Sequence, residues 1–273
     1  MLLRIEFLKL WRKPRTYLGF AGMAAIIGLM FLGMKLGHPF RHMEAQLARD
    51  WIVAGSFLNA GFIAQHLMGG VVYTFLPLFS AMVFGDLIAS EAADGTIRTM
   101  LCRPVSRIGV GLSKYANGAL YVLALTFGTG AAAYLIGWLV FGRGNLVVLD
   151  SGISIFTERE ALPRLIGAYG MAALSMIAVG SIAFALSSFL SNSNGAIIGA
   201  MVVMSGLAII GEIDYFEFLK PYLFTTYLDE WKGLFADPIR SADVLRSAGV
   251  MLAYSAAFSV LGLAIFRRKD VLS

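Results

Sequence analysis

The chain has 273 residues, of which 58% are hydrophobic and 14% are charged, and its mean hydropathy is +0.76. Soluble domains carry roughly 25% charged residues, so this composition excludes an ordinary soluble protein and indicates an integral membrane protein. The formal net charge is +5. We attribute this charge to membrane topology and expect no nucleic-acid partner.

Residues 1–15 have the pattern of a basic amphipathic helix. Apolar and basic side chains fall on opposite faces, with Leu3, Phe7, Leu10 and Trp11 on one and Lys9, Arg12 and Lys13 on the other. We predict that this helix lies at the cytoplasmic membrane surface, near anionic headgroups. The alternative is a simple positive flank for the first span.

Charge-free runs predict six membrane spans, because one span needs about 20 apolar residues. The spans are expected at about 16–36, 70–89, 115–141, 165–190, 195–211 and 247–266. The first is longer than the apolar core of a secretory signal, and no small-residue cleavage pattern follows it, so we expect it to be retained. Residues 51–64 predict an interfacial or re-entrant helix before the second span.

The predicted fold class is therefore an all-α integral membrane protein in which residues 1–273 form one domain. It has six transmembrane helices, an N-terminal interfacial amphipathic helix, and short external interfacial helices between spans five and six. An even number of spans places both termini on one side. Basic residues are denser there, which predicts cytoplasmic termini and an inner-membrane location.

A charged loop at residues 90–107, SEAADGTIRTMLCRPVSR, separates the second and third spans. Asp94-Gly95-Thr96 is a break-and-cap signal, after which Ile97, Met100 and Leu101 recur at helical spacing. Pro104 closes this short helix. An amphipathic helix flush with the bilayer predicts a docking surface.

This loop resembles the membrane (permease) subunits of type-2 ABC exporters. In that family an acidic residue is followed by Gly-Thr, a Leu-rich helix and Arg-Pro-Val-Ser-Arg. The corresponding residues here are Glu91, Gly95, Thr96, Leu101, Arg103, Pro104, Ser106 and Arg107, and Lys114 matches a basic residue that opens the next span. Met100 replaces the commoner Leu.

The resemblance implies a transport subunit without catalytic residues, which couples to a separate ABC ATPase. Two ATPase copies would carry the ATP and magnesium, and a second permease, identical or different, would complete the membrane part. The residues implied in ATPase coupling are Glu91, Gly95, Thr96, Ile97, Arg98, Met100, Leu101, Arg103, Pro104 and Arg107. An accessory permease for metal-site maturation or envelope maintenance is the alternative within the family.

A secondary transporter is disfavoured because the deeper parts of the spans contain no Lys, Arg, Asp or Glu. Asp86, near the inner end of span two, is expected to pair locally with Arg98, Arg103 or Lys114. The uncharged spans predict an amphipathic or lipid-like substrate. The path would be lined by Tyr121, Thr126, Thr129, Tyr134, Ser175, Ser181 and Ser187.

Two other motifs resemble binding sites but are incomplete. Gly109–Lys114 has the wrong spacing for a phosphate-binding loop, and no strand precedes it. His38 and His42 stand four residues apart, but Pro39 interrupts them and no carboxylate or Cys completes a metal site. We therefore expect no metal on this chain.

Small residues on span five, Ser191, Gly195 and Gly199, predict close helix packing, within the subunit or across a dimer. Residues 212–246 are rich in aromatic side chains interleaved with charges, a pattern typical of helices at the outer interface. In the exporter family such helices cap the path, which implies an external gate at Tyr222, Phe224, Tyr227 and Trp231. A plain aromatic belt is the alternative.

The orientation can be tested with reporter fusions. A reporter after Ser273 or within residues 191–194 should be cytoplasmic, whereas one within residues 229–237 should be external, because basic loops stay inside. Labelling of Cys102 in sealed cells by a membrane-impermeant thiol reagent would contradict this topology.

Overall fold

The structure, a computed structural model, describes residues 2–37, 58–96, 106–149 and 153–269. In chain order its helices are α1 (Leu2–Arg12), α2 (Pro14–Gly37), α3 (Ala60–Val71), α4 (Phe75–Ala93), α5 (Arg107–Phe141), α6 (Glu158–Phe189), α7 (Ser193–Glu212) and α8 (Ser241–Arg268). Strands β1 (Leu146–Leu149) and β2 (Ile153–Phe156) lie between α5 and α6, and two 3-10 segments, Asp214–Tyr222 and Phe224–Phe235, lie between α7 and α8.

Within these residues, 6 helices are long and apolar enough to cross a membrane: α2, α4, α5, α6, α7 and α8. The expectation of a helical, multi-pass membrane protein is confirmed at this level. Several helices extend beyond the expected spans, because their ends carry charged residues that find partners inside the protein. The helix of the third span, for example, begins at Arg107 rather than near 115.

Helix α6 is the centre of the bundle. In its most apolar window 78% of the residues are buried, against 22% in α2 and α8 and 17% in α7. It packs against α3, α4, α5, α7 and α8. Close approach to α4 depends on Gly180, where an added Cβ would lie 2.3 Å from the Phe84 ring. Small residues at helix contacts are the usual means of tight packing in membranes.

Helix α3 is a short, almost fully buried helix in front of span two. The Asn59 side chain accepts a hydrogen bond from Phe62 N at 3.1 Å and donates one to Asn145 O at 2.7 Å. The Tyr169 hydroxyl donates to Ala64 O at 2.8 Å. The short helix therefore runs from 60 to 71, beyond the expected boundary at 64, and the spanning helix begins at Phe75 rather than near 70.

The small antiparallel hairpin was not expected from the sequence. Leu146 pairs with Phe156 and Val148 with Ser154, and Leu146 and Phe156 are buried. Both strands are rich in β-branched and aromatic residues, which is a strand signal. Each has only 4 residues, too few to outweigh the surrounding hydropathy pattern.

The glycine contact at the centre of the bundle can be tested. Gly180→Leu should lower the thermal stability in detergent strongly, because overpacking costs about 1–3 kcal/mol or more when a rigid ring must move. Gly206→Leu is the matched control, since no atom of the described residues lies within 4 Å of its added Cβ. The measurement is the fraction of protein that stays monodisperse after heating. Equal losses in the two variants would contradict the packing.

Candidate functional site: a buried charge cluster at one end of the bundle

Lys114 lies between two carboxylates in the interior of the protein. Its Nζ is 2.6 Å from Glu6 Oε2 and 2.7 Å from Glu91 Oε1, and its side chain is only 2% exposed. Lys9 contacts the same two carboxylates more loosely, at 3.3 and 3.4 Å, and is 42% exposed. These four residues, which we call the charge cluster, join α1, the end of α4 and the start of α5.

Helix α1 supplies the carboxylate that the sequence analysis overlooked. Glu6 lies on the helical stripe of Leu3 and Leu10, and its pairing with Lys114 holds the Glu6–Leu10 part of this stripe against the bundle. Leu10 is buried, whereas Leu3 is 54% exposed. The sequence did contain a signal for this role, namely an acidic residue on an otherwise apolar helix face. A carboxylate that is buried with such a face needs a partner of opposite charge.

The charge cluster is balanced but tightly constrained. The charges of the two carboxylates and two ammonium groups sum to zero. However, Oε2 of Glu91 is buried without a hydrogen-bond partner among the described residues. Removing one member of a buried ion pair leaves an uncompensated charge, which costs about 3–5 kcal/mol. The cluster therefore fixes the relative positions of three helix ends.

A second set of charges surrounds Asp86. Its carboxylate is 2.7 Å from Lys13 Nζ and 3.0 Å from Arg15 Nη1, and it accepts a hydrogen bond from the Ser193 hydroxyl at 3.0 Å. The expected pairing with Lys114 was wrong, since Lys114 pairs with Glu6 and Glu91. The other two expected partners, Arg98 and Arg103, lie outside the described residues.

Beside Asp86 there is a polar cavity of about 560 Å³ that contains both kinds of charge. Its lining includes Lys13, Arg15, Asp86, Ser90, Asp94, Ser191, Asn192, Ser193 and Asn194. The cavity separates the start of α2 from the link between α6 and α7. Polar side chains from three separated parts of the chain thus face one another here.

The loop predicted to contact the ATPase is anchored at both ends. After α4, Gly95 has a positive φ of 67°, which favours glycine, and the Thr96 hydroxyl donates to Glu91 O at 3.3 Å. At the other end, Arg107 Nη1 donates to Lys269 O at 2.8 Å and to Arg267 O at 3.3 Å. Ile97, Arg98, Met100, Leu101, Arg103 and Pro104 lie outside the described residues.

The Gly109–Lys114 segment is the first part of α5, not a phosphate loop. The Ser113 hydroxyl donates to Gly109 O at 2.8 Å, and the Lys114 ammonium is held by two carboxylates. An added Cβ at Gly111 would lie 2.5 Å from Leu263. The glycine therefore serves the contact with α8, and the buried Lys114 ammonium is engaged by Glu6 and Glu91.

The small residues of α7 contact α6 of the same chain. An added Cβ at Gly195 would be 3.3 Å from Leu190, and one at Gly199 would be 3.0 Å from Leu186. Ser191 is exposed and lines the polar cavity. The two glycines thus make a contact within the subunit, one of the two roles that the sequence allowed.

The four residues implied in an external gate do not share one environment. Phe224, Tyr227 and Trp231 are buried in the core, whereas Tyr222 is 72% exposed. The Tyr227 hydroxyl donates to Pro221 O at 2.8 Å. Three of the four therefore hold the second 3-10 segment against the bundle.

Most hydroxyls expected along a path are buried and bonded within the bundle. Ser187 Oγ accepts hydrogen bonds from Ile88 N at 3.2 Å and Ala89 N at 2.9 Å, and Ser181 pairs with the Tyr115 hydroxyl at 2.8 Å. Thr129 donates to Leu125 O within its own helix. Ser181 and Ser187 thus join neighbouring helices, whereas the buried Tyr121 and Thr126 hydroxyls have no hydrogen-bond partner among the described residues.

The described residues contain no group of three or more His, Cys, Asp or Glu residues placed to hold a metal ion. His38 and His42 lie outside them. His66, which packs on the Phe62 ring, has a pKa lowered by burial.

The architecture defines a predominantly helical, multi-pass membrane protein. Among the described residues, its ion pairs with a buried partner lie at one end of the bundle. Residues 23–272 match the model of a family described as protein of unknown function (DUF2705), and the chain belongs to this family. It is also similar to the uncharacterized protein YhcI of Bacillus subtilis (strain 168), with 26% identity over 204 residues. That alignment covers 71% of this chain and 64% of the relative, so the chain spans less than two thirds of its length.

The charge cluster can be tested through Lys114. Lys114→Met should reduce stability by about 3–5 kcal/mol, because it leaves Glu6 and Glu91 with only the partly exposed Lys9. The measurement is the midpoint temperature for loss of monodisperse protein in detergent. Lys9→Met is the control and should cost at most about 1 kcal/mol, as expected for an exposed pair.

Rescue distinguishes lost charge pairing from lost packing. The triple variant Lys114→Met, Glu6→Gln, Glu91→Gln should recover much of the stability, because no buried charge then lacks a partner. A triple variant as unstable as Lys114→Met alone would show that the ion pairs do not hold these helices together.

Proposed function

We propose that this protein is the permease subunit of an ABC exporter and couples to a separate ATPase through residues 90–107. The observation that carries the proposal is the double anchoring of this loop. Glu91 binds it to the charge cluster, and Arg107 binds it to the carbonyls at the end of α8. A loop that is anchored at both ends can transmit a displacement caused by a partner to several helices at once.

The anchors reach different parts of the bundle. Through Glu6 and Lys114 the loop is connected to α1 and α5, and through Arg107 to α8. Because ion pairs and packed helices resist deformation, a displacement at the loop would move these helices as a unit.

The orientation, partners and substrate belong to the same proposal. The charge cluster and the loop face the cytoplasm, two ATPase copies bind ATP and magnesium, and a second permease packs alongside in the inner membrane. The substrate is amphipathic or lipid-like. The apolar surface of α7 supports lipid or permease contact, since Ile198, Val202 and Ile209 are 62–64% exposed.

One structural observation favours a second candidate, a secondary transporter. Asp86, Glu91 and Lys114 are buried within helices that are candidate spans, and ionisable groups in spans often serve ion transport. All three are paired at one end of the bundle, which suits a structural role better. The two candidates differ in their energy source. Transport by an ABC exporter should stop when ATP is depleted and should continue in the presence of a proton ionophore.

The coupling can be tested by replacing Met100 and Leu101 together with Asp. Burying two unpaired carboxylates in a protein groove costs several kcal/mol, enough to abolish a micromolar contact of about 8 kcal/mol. We expect loss of ATPase co-purification and of substrate-stimulated hydrolysis with normal membrane insertion. Co-purification and hydrolysis at wild-type levels would show that the loop is only a connector.

A matched control adds the same charge at the same end of the bundle. Asn192→Asp with Asn194→Asp introduces two carboxylates at exposed positions, and Asp preserves the cap of α7 that Asn192 provides. This variant should keep the ATPase. Glu91→Gln should weaken transport but leave assembly largely intact, because Lys114 keeps Glu6 as a partner.

A further inference from the structure

A cavity of about 770 Å³ lies between α2, α3, the start of α4 and the second 3-10 segment. Its size falls in the range of small-molecule sites, about 300–1,000 Å³. Most of the lining is apolar and includes Ile26, Met30, Met34, Leu67, Val71 and Phe75. None of these residues belongs to the charge cluster or to the loop proposed to bind the ATPase.

Three glycines keep this cavity open. Gly33, Gly69 and Gly70 line it, and an added Cβ at each would meet no atom of the described residues within 4 Å. Glycine in a helix costs about 1 kcal/mol relative to alanine, and here no close helix contact offsets that cost. Side chains at these positions would project into the space, so their absence preserves its volume.

The polar end of the cavity carries a lysine ammonium that also pairs with a carboxylate. Lys232 is the charged residue that lines it among the described residues, together with Gln65 and His66. Asp229 takes one donor of the Lys232 ammonium at 2.7 Å, which leaves two of its three protons for another acceptor. His66, whose pKa is lowered by partial burial, adds a second polar side chain at this end.

Aromatic groups surround the same ammonium. Lys232 Nζ is 5.8 Å from the Trp231 ring centroid and 6.0 Å from that of Tyr73, and the Tyr73 hydroxyl is bonded to Asp229. Trp231 also lines the cavity, and its indole nitrogen is buried without a partner among the described residues. This end thus offers the Lys232 ammonium and the Gln65 amide as hydrogen-bond donors, whereas the remaining walls offer mostly apolar surface.

We propose that this cavity binds a single-chain amphiphile with an anionic headgroup. The chain lies against the apolar side chains of α2 and α3, and the headgroup accepts hydrogen bonds from Lys232. An apolar space alone would suit any hydrocarbon, and the lysine at its end selects a negative charge. The site goes beyond the proposed function, because binding is a property of this chain and needs no ATPase.

The probe is a palmitic acid analogue with a photoreactive diazirine in its chain. It is added to the purified full chain in nanodiscs of phosphatidylcholine, without ATPase or nucleotide. After irradiation, the label should map to residues 26–34 and 65–75, and excess palmitate should suppress it. Labelling spread over the outer faces of the bundle, or not suppressed by palmitate, would overturn the proposal.

Filling the cavity provides the matched pair of variants. Gly33→Leu with Gly69→Leu should reduce the label about tenfold, which corresponds to a tenfold loss of affinity. Gly28→Leu is the control, because Gly28 lies on the same helix α2, has equally open space and does not line the cavity. The single variant Gly69→Ala should show an intermediate loss if the double variant is poorly folded. Unchanged labelling in the filled variants would contradict the site.

The headgroup is tested with a probe of equal chain length that ends in trimethylammonium. It should label the cavity residues about tenfold less than the carboxylate probe. Lys232→Gln should weaken palmitate competition about fivefold and leave labelling by the cationic probe unchanged or increased. Equal labelling by the two probes in the wild-type chain would refute an anionic ligand, and the ATPase-coupling proposal would be unaffected.

Discussion

The fold depends on the ammonium of Lys114 and the two carboxylates that share it. On a water-exposed surface such ion pairs would add little to stability. Here the three side chains are only 2% to 10% exposed, and an unpaired charge in so buried a position destabilises the fold strongly. The arrangement is therefore held less by the attraction itself than by the penalty for breaking it. Because Glu6, Glu91 and Lys114 belong to three helices, that penalty applies to any relative movement of their ends.

Other interactions stabilise the rest of the bundle, and they differ between its middle and its opposite end. Around α6, glycines such as Gly180 and Gly130 accept the rings of Phe84 and Tyr169, so dispersion contacts replace the hydrophobic effect that lipid cannot supply. Towards the opposite end, buried aromatic side chains such as Phe224 and Trp231 dock the 3-10 segment onto the bundle. Buried ion pairs thus predominate at one end of the bundle, close packing predominates around α6, and aromatic contacts predominate at the other end.

The six spans could be predicted from the sequence because the hydropathy of a segment depends only on its own residues, and this hydropathy determines whether the segment favours lipid or water. The sequence could not predict that Lys114 meets Glu6, since these residues are 108 positions apart and only the folded bundle brings them together. The same limit applies to Asp86, whose partners Lys13 and Arg15 precede it by more than 70 positions. Of the candidate coupling site, sequence could name the loop and its residue types, whereas the anchoring of its two ends required coordinates.

The long separation between Glu6 and Lys114 also sets an order of events during synthesis. Ribosomes add about 5–20 residues per second, so Glu6 emerges several seconds before its partner exists. During that interval its carboxylate must remain solvated at the membrane surface, because burial without a counter-charge is prohibitively costly. Helix α1 can therefore take its final place only after α4 and α5 have been translated, although it is the first helix of the chain.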